Sequence, residues 1–191
     1  MWAGGRLRFH APLRIGEEMR RRSEITKVSE KTGNTGRMVF VTVAHHVHGA
    51  EGLAVEEEQD IVFIAMPDRF TPPPPVEAPA PDWREDVTVD EVRLFRFSAL
   101  TFNAHRIHFD LPYATGVEKY PGLVVHGPLQ AMLLMQAARA RRGGAVPAGY
   151  RFRGVRPAFH FDSLSLQGAA DGVATVNGDG LVCMQAMMDW G

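Results

Sequence analysis

The chain has 191 residues, 45% hydrophobic and 23% charged, with a formal net charge of -1, which is ordinary globular material for one large domain or two small ones. The near-neutral balance argues against nucleic acid as the main partner, since phosphate binding needs a basic surplus, and no apolar run reaches bilayer length. The first residues, with Arg6, Arg8 and His10, lack the apolar core of a secretory signal, and a single cysteine, Cys183, excludes an internal disulfide framework and fits a reducing, cytoplasmic compartment.

Glu17 to Met66 reads as a strand meander. Val39, Val41 and Val43 alternate with Phe40, Thr42 and Ala44 after the turn chemistry of Gly33-Asn-Thr-Gly36, and Gln59–Met66 follows the Ala50-Glu-Gly52 turn. Pro67 to Asp86 holds seven of the thirteen prolines and reads as a semi-rigid linker. Val87 to Ser98 is rich in β-forming residues and predicts a strand. Pro128 to Arg141 predicts a helix with Leu129, Met132, Leu133, Gln136, Ala137 and Ala140 on one face; proline at its start and arginines at its end suit the dipole. Apolar nearly all round, it is expected to be buried on most sides. Four strands follow, Tyr150–Pro157, Leu164–Gly168, Val173–Asn177 and Leu181–Met188, punctuated by Asp171-Gly172 and Asp179-Gly180. A strand, a buried helix and an antiparallel meander make an α+β fold, a curved sheet wrapped round a helix.

Two segments carry the chemistry. Phe97–Asp110 presents Asn103, His105 and His108 within six residues, and imidazole titrates near neutral pH. Val124-Val-His-Gly-Pro128 opens the apolar helix, where free N–H groups at the positive end can stabilise an oxyanion. Gly127 is the preferred donor, because a residue without a side chain lets a carbonyl approach closely. Pro128 has no N–H, whereas Leu129 has one. An acid–base group beside an oxyanion site points to proton chemistry next to an activated carbonyl. Each residue also has a plainer role: His108 as a loop histidine bound to a backbone carbonyl, Asn103 as an Asx-turn residue, and Gly127 as a helix cap. His105 and Arg106 can be solvated, although a guanidinium also matches a substrate carboxylate. His45, His46 and His48 read as a surface strand cluster rather than a metal site. Arg151, Arg153 and Arg156 are exposed strand arginines or a grip on phosphates, and Cys183 reads as core.

These two segments resemble the (R)-specific enoyl-thioester hydratases and their MaoC-like relatives, a hotdog-fold family. That family carries Asp-x-Asn-Pro-(Ile/Leu)-His on an overhanging loop and a His-Gly pair opening the central helix. Aligned on His108, this chain has Asn103 for the Asp, His105 for the Asn and Arg106 for the Pro. Thr101-Phe-Asn-Ala-His-Arg-Ile-His108, with Tyr120-Pro-Gly-Leu-Val-Val-His-Gly-Pro128, is similar to the subgroup of mitochondrial-type 3-hydroxyacyl-thioester dehydratases and bacterial mesaconyl-CoA or itaconyl-CoA hydratases. The resemblance runs from Met1-Trp-Ala-Gly-Gly5 to Phe152-Arg-Gly-Val-Arg-Pro157.

The resemblance implies a double hotdog: a partial first unit over 1–66, the linker over 67–86 and a catalytic unit over 87–191. The first unit normally has a strand and helix before Met1, so Met1 is expected to be an internal start, or a partner chain covers the bare sheet face. It implies reversible hydration of an enoyl thioester, with His108 exchanging the proton, Asn103 positioning water and Gly127 holding the thioester oxygen. Asn cannot take up a proton as the family Asp does, which leaves proton transfer to His108, or to His108 assisted by Asp110 or His105. His105, Arg106, His126 and Arg153 are the candidate substrate contacts, and no metal, flavin or nicotinamide is required. Coenzyme A is expected as the carrier, with an acyl carrier protein as the other candidate, and the chain is expected to self-associate. A hotdog thioesterase is the rival enzyme, though Gly127–Arg142 offers no carboxylate to serve it. An acyl-binding scaffold is the non-catalytic rival.

Overall fold

The computed structural model describes residues 1–33, 36–66, 68–169 and 172–191. The turns expected at Asn34-Thr35 and at Asp171, and the first linker residue, Pro67, lie outside the described residues. The chain forms two compact units. The first comprises Met1–Ala65, Arg139–Arg153 and Ala186–Gly191, and the second Met66–Ala138 and Gly154–Gln185.

The first unit is an antiparallel sheet. Its strands β1 (Trp2–Phe9), β2 (Arg20–Gly33), β3 (Gly36–Gly49), β4 (Gly52–Ile64) and β6 (Gly149–Gly154) run in the order β2-β3-β4-β1-β6. The expected meander is present, with Ala50 and Glu51 in the turn and Gly52 at φ 102 taking the left-handed conformation that glycine favours. Strand β1 is the addition. Gly4 and Gly5 read poorly as strand residues, yet β1 pairs with β4 on one side and β6 on the other. The glycines permit this approach: a Cβ on Gly5 would stand 2.6 Å from the Phe152 ring. Trp2 then lies against that ring at 4.5 Å. Across β1 and β4, Arg6 pairs with Glu58 and Asp60, exposed contacts worth little individually. The described residues of 1–66 contain strands and no helix, and Ile25 and Val28 on β2 are 63% and 64% exposed.

The second unit sets a helix against an antiparallel sheet. Its strands are β5 (Trp83–Val87), β7 (Leu164–Ala169), β8 (Gly172–Val176) and the first residues of β9 (Val182–Asp189), in the order β9-β8-β7-β5. Helix α3 (Gly127–Ala140) is buried along Leu129, Gln130, Ala131, Leu134, Ala137 and Ala138. That face is rotated from the expected one, leaving Met132 exposed and Gln130 turned inward, where its Oε1 accepts from Thr175 Oγ1 of β8 at 2.6 Å. Cys183 is buried in the core with Leu94, Ile107, Val125 and Leu164, and burial pushes its thiol up to about 12.

The strand expected over Val87–Ser98 is a correction. Strand β5 ends at Val87, and helix α1 occupies Glu91–Thr101. Asp90 caps it, accepting the Arg93 N–H at 2.8 Å, with Glu91 in the first turn. Leu94 and Ser98, four residues apart, are its buried positions. The cap and this burial outweigh the strand preference of Val92, Phe95 and Phe97. The helix ends in a Schellman arrangement: Phe102 N–H reaches the Ala99 carbonyl, and Asn103 N–H reaches the Ser98 carbonyl at 2.9 Å. Phe102 itself is left-handed (φ 53) and 95% exposed, a position that favours glycine.

These ends make opposite predictions. Asp90→Ala is expected to cost about 1 kcal/mol through loss of the cap, and Phe102→Gly to stabilise by about 1 kcal/mol through relief of the left-handed residue. Urea denaturation of both variants checks the pair. An unchanged midpoint in each would mean that α1 does not end where described.

Candidate active site

Segment Gly122–His126 is the backbone on which the site is assembled. Val124 N–H donates to the Ile107 carbonyl at 2.9 Å, Val125 N–H to the Ala158 carbonyl at 2.8 Å, and His160 N–H to the Leu123 carbonyl at 2.9 Å. The segment is therefore fixed on both sides before it turns into α3 at Gly127. Gly122 allows the crossing, since a Cβ there would stand 2.6 Å from the Phe161 ring.

His108 ends a short 3-10 turn, Arg106–His108, and only 8% of its surface is exposed. Its Nδ1 lies 2.7 Å from the Val124 carbonyl oxygen. A carbonyl only accepts, so Nδ1 carries the proton and Nε2 of the neutral ring keeps its lone pair. The plainer role read from sequence, a histidine bound to a backbone carbonyl, is thus present, and it sets the tautomer. Burial pushes the His108 pKa down to about 4, with the nearby His105 adding to the effect and the Val124 bond opposing it. At neutral pH the ring is uncharged.

His126, the last residue before α3, stacks on His108 with ring centres 3.7 Å apart and planes 19° from parallel. It is fully buried, its Nε2 lies 2.8 Å from Ser98 Oγ, and burial pushes its pKa down to about 3. His105 meets His108 edge-on at 5.7 Å, and its Nε2 contacts Glu118 at 2.8 Å. Asn103 Oδ1 accepts the His105 N–H at 3.0 Å, the Asx turn that short polar residues form. Its Nδ2 donors are not used in that bond. Arg106 binds Asp110 Oδ2 through Nε at 2.9 Å and Nη2 at 2.6 Å, and lies over the Tyr113 ring at 4.2 Å. Asp110 Oδ1 also caps helix α2 (Leu111–Gly116) through Tyr113 N–H at 3.0 Å. Both carboxylate oxygens are thus engaged, and the Arg106 contact first, then the cap, hold its pKa below the usual carboxylate range. Asp110 is poorly suited to assist as a base.

Gly127 is the first residue of α3, where the N–H has no acceptor within the helix. His105, His108 and His126 are brought into contact, Asn103 joins them through His105, and Gly127 follows His126 directly. Arg153 belongs to the first unit, exposed on β6. His45 binds Ser23 Oγ at 2.8 Å and His46 faces Glu56, and among the described residues no group of three or more His, Cys, Asp or Glu side chains is arranged to hold a metal ion. A groove of about 710 Å³ in the first unit, along Arg6, Arg8, His46, Glu56 and Arg151, is lined by none of Asn103, His105, Arg106, His108, His126, Gly127 and Arg153. Ser98 and Glu118 are the polar partners that the sequence did not single out. Both act across the chain rather than inside a motif, and Ser98 would stand out only once 91–101 is drawn as a helix.

A family model described as "Hydroxyacyl-thioester dehydratase type 2" matches residues 1–160. The chain is 47% identical over 181 residues to the mesaconyl-C(4)-CoA hydratase of Chloroflexus aurantiacus, covering 94% of this chain and 62% of that protein. It is 29% identical over 161 residues to the mitochondrial hydroxyacyl-thioester dehydratase type 2 of Schizosaccharomyces pombe, covering 73% of this chain and 54% of that protein. The chain therefore spans a little over half the length of these relatives. A solved Mycobacterium tuberculosis protein described as having a double hotdog fold aligns over all of this chain and 73% of its own length, with a TM-score of 0.61 and 17% identity. The double hotdog expected from the sequence is the fold observed.

The two buried neutral histidines make stability depend on pH. Their folded pKa values lie below the ordinary 6.5, so between about 6.5 and about 4 the unfolded chain binds more protons than the folded one. Stability is present above pH 6.5 and is lost as pH falls through that window. For His108 the loss is on the order of 3 kcal/mol. Urea midpoints at pH 7 and pH 4 are expected to differ less in His108→Gln than in wild type. An equal difference would contradict the assigned cause.

Proposed function

The chain belongs to the hydroxyacyl-thioester dehydratase type 2 family, and from that premise we propose that it catalyses reversible hydration of an α,β-unsaturated acyl thioester. Free coenzyme A is the proposed carrier and a short or dicarboxylic acyl group the proposed substrate, in keeping with the mesaconyl-C(4)-CoA hydratase to which it is 47% identical. We further propose that residues from Val87 onward carry the chemistry.

One observation carries this reading. The Val124 carbonyl that fixes His108 stands three residues before Gly127, so the base and the oxyanion donor share one short piece of backbone. In the proposed step the thioester oxygen rests on the Gly127 N–H. His108 Nε2 takes a proton from water as the water oxygen bonds to the β-carbon. The electron pair of the double bond moves toward the carbonyl, and negative charge collects on its oxygen as an enolate. A preorganised donor there contributes on the order of 3 kcal/mol. His108, now protonated, returns the proton to the α-carbon, so the sum is one water added and no proton lost. Its low pKa makes the imidazolium a ready donor for that second half.

Asn103 Oδ1 holds the turn, so the proposed water-positioning role falls to its Nδ2 donors, which can hold the water oxygen while its O–H faces His108. Arg106, whose Nε and Nη2 bind Asp110 and whose guanidinium lies over the Tyr113 ring, offers Nη1 to an acyl carboxylate. The thioesterase alternative gains no support from α3, which carries no Asp or Glu.

Loss of enoyl absorbance with crotonyl-CoA or mesaconyl-C(4)-CoA, with free thiol monitored, tests the reaction class. Hydration without thiol release is the expected result, and thiol release would sink the reading. In the same assay His108→Ala is expected to lower turnover by roughly two to four orders of magnitude. A folded His108→Ala variant with undiminished turnover would remove His108 from the mechanism. Asn103→Asp keeps an acceptor for the His105 N–H but loses the amide donors. It is expected to remain folded, with measurable activity and a changed pH profile, while Asn103→Ala loses both the turn and activity. Two variants that both behave as wild type would end the water-positioning role.

A further inference from the structure

His126 is the group in the second unit that its surroundings explain least. It is 0% exposed, so its side chain presents no surface to a bound substrate. Its Nδ1 is buried without a hydrogen-bond partner among the described residues, while Nε2 is held by Ser98 Oγ at 2.8 Å. Leaving a buried polar nitrogen unpaired is costly, and an apolar side chain would fill the same space without that cost. Packing alone does not account for an imidazole here.

What the ring has is a fixed orientation. Phe97 meets it edge-on at 4.8 Å, and the Ser98 bond restrains rotation about its own axis. Its face then lies flat against His108 at 3.7 Å. Ser98 is itself well placed to hold it, since Ser98 is buried on α1 and its carbonyl takes part in the closure of that helix through the Asn103 N–H. His108 is thus constrained along two directions, by the Val124 carbonyl in its plane and by the His126 face across it. The other titratable groups near it are His105, at the start of the 3-10 turn, and Glu118, after α2.

We propose that Ser98 and His126 form a positioning pair that sets the ring orientation of His108, with Ser98 fixing His126 and the His126 face fixing His108. This rests on the reading of His108 as the proton-exchanging group. Neither member of the pair touches substrate, so their effect appears in the chemical step rather than in binding.

The test measures kcat, KM and the pH profile for crotonyl-CoA hydration, alongside the NMR titration of the His108 ring, in wild type, Ser98→Ala, Ser98→Thr and His126→Phe. Ser98→Ala is expected to lower kcat by roughly ten- to a hundredfold with KM changed less than about twofold. The His108 titration and the pH profile of kcat are expected to move together toward the ordinary histidine value. Ser98→Thr keeps the hydroxyl and is expected to restore both. His126→Phe keeps a ring but not the Ser98 bond, and is expected to behave like Ser98→Ala; it carries the test should Ser98→Ala not fold. Wild-type kcat with an unmoved His108 titration in either variant would overturn the proposal, as would a kcat loss that Ser98→Thr fails to relieve. If wild type itself shows no hydration, the functional reading fails, while the His108 titration still decides whether the pair positions the ring.

Discussion

The hydrogen bond from His108 Nδ1 to the Val124 carbonyl is the constraint on which the rest of the site depends. It decides which ring nitrogen carries the proton, and it joins the 3-10 turn to the segment that starts α3. Burial alone would leave a neutral imidazole free to choose either tautomer. The carbonyl removes that choice, because an oxygen without a hydrogen can only accept. The same segment is pinned by Ile107, Ala158 and His160, so the tautomer of one side chain is held by the backbone hydrogen bonds of its neighbours.

The consequences run outward in layers. The neutral state of His108 follows from its burial, and its plane is supported by His126. The turn that delivers it begins where α1 closes on Ser98, and Asn103 sets the following backbone through an Asx turn. Arg106 and Asp110 close the far side, with Asp110 serving helix α2 and the guanidinium at once. A site of this kind is rigid because its parts serve secondary structure as well as chemistry. Among the described residues His126 Nδ1 has no hydrogen-bond partner, a departure from full satisfaction that marks where functional constraint is to be sought.

Much of this was legible in the sequence, for physical reasons that differ by element. Helix α3 announced itself by a continuous apolar stretch behind Gly127-Pro128, and the strands of the first unit by β-branched runs between turn residues. Val87–Ser98 misled because Val92, Phe95 and Phe97 favour strands, while the decisive features were one capping aspartate and the burial of Leu94 with Ser98. Strand β1 was hidden by its glycines, whose purpose is visible only against Phe152. His108 and Asn103 stood out by spacing, but their partners did not. Ser98 meets His126 across 28 positions and His105 meets Glu118 across 13, and no local pattern encodes a contact made by the folding of separate elements. The plainer readings of His108 and Asn103 are both present in the fold, and they do not compete with the proposed roles, since a backbone-bound histidine and an Asx turn are the means by which these residues are held.

The most direct test of the account is the tautomer of His108, read from the 15N chemical shifts of its two ring nitrogens at neutral pH. A protonated Nδ1 and an unprotonated Nε2, uncharged at pH 7, are the predicted result. A proton on Nε2, or a charged ring at that pH, would mean that the Val124 carbonyl does not hold the imidazole as described, and the base assigned to the reaction would have no free lone pair.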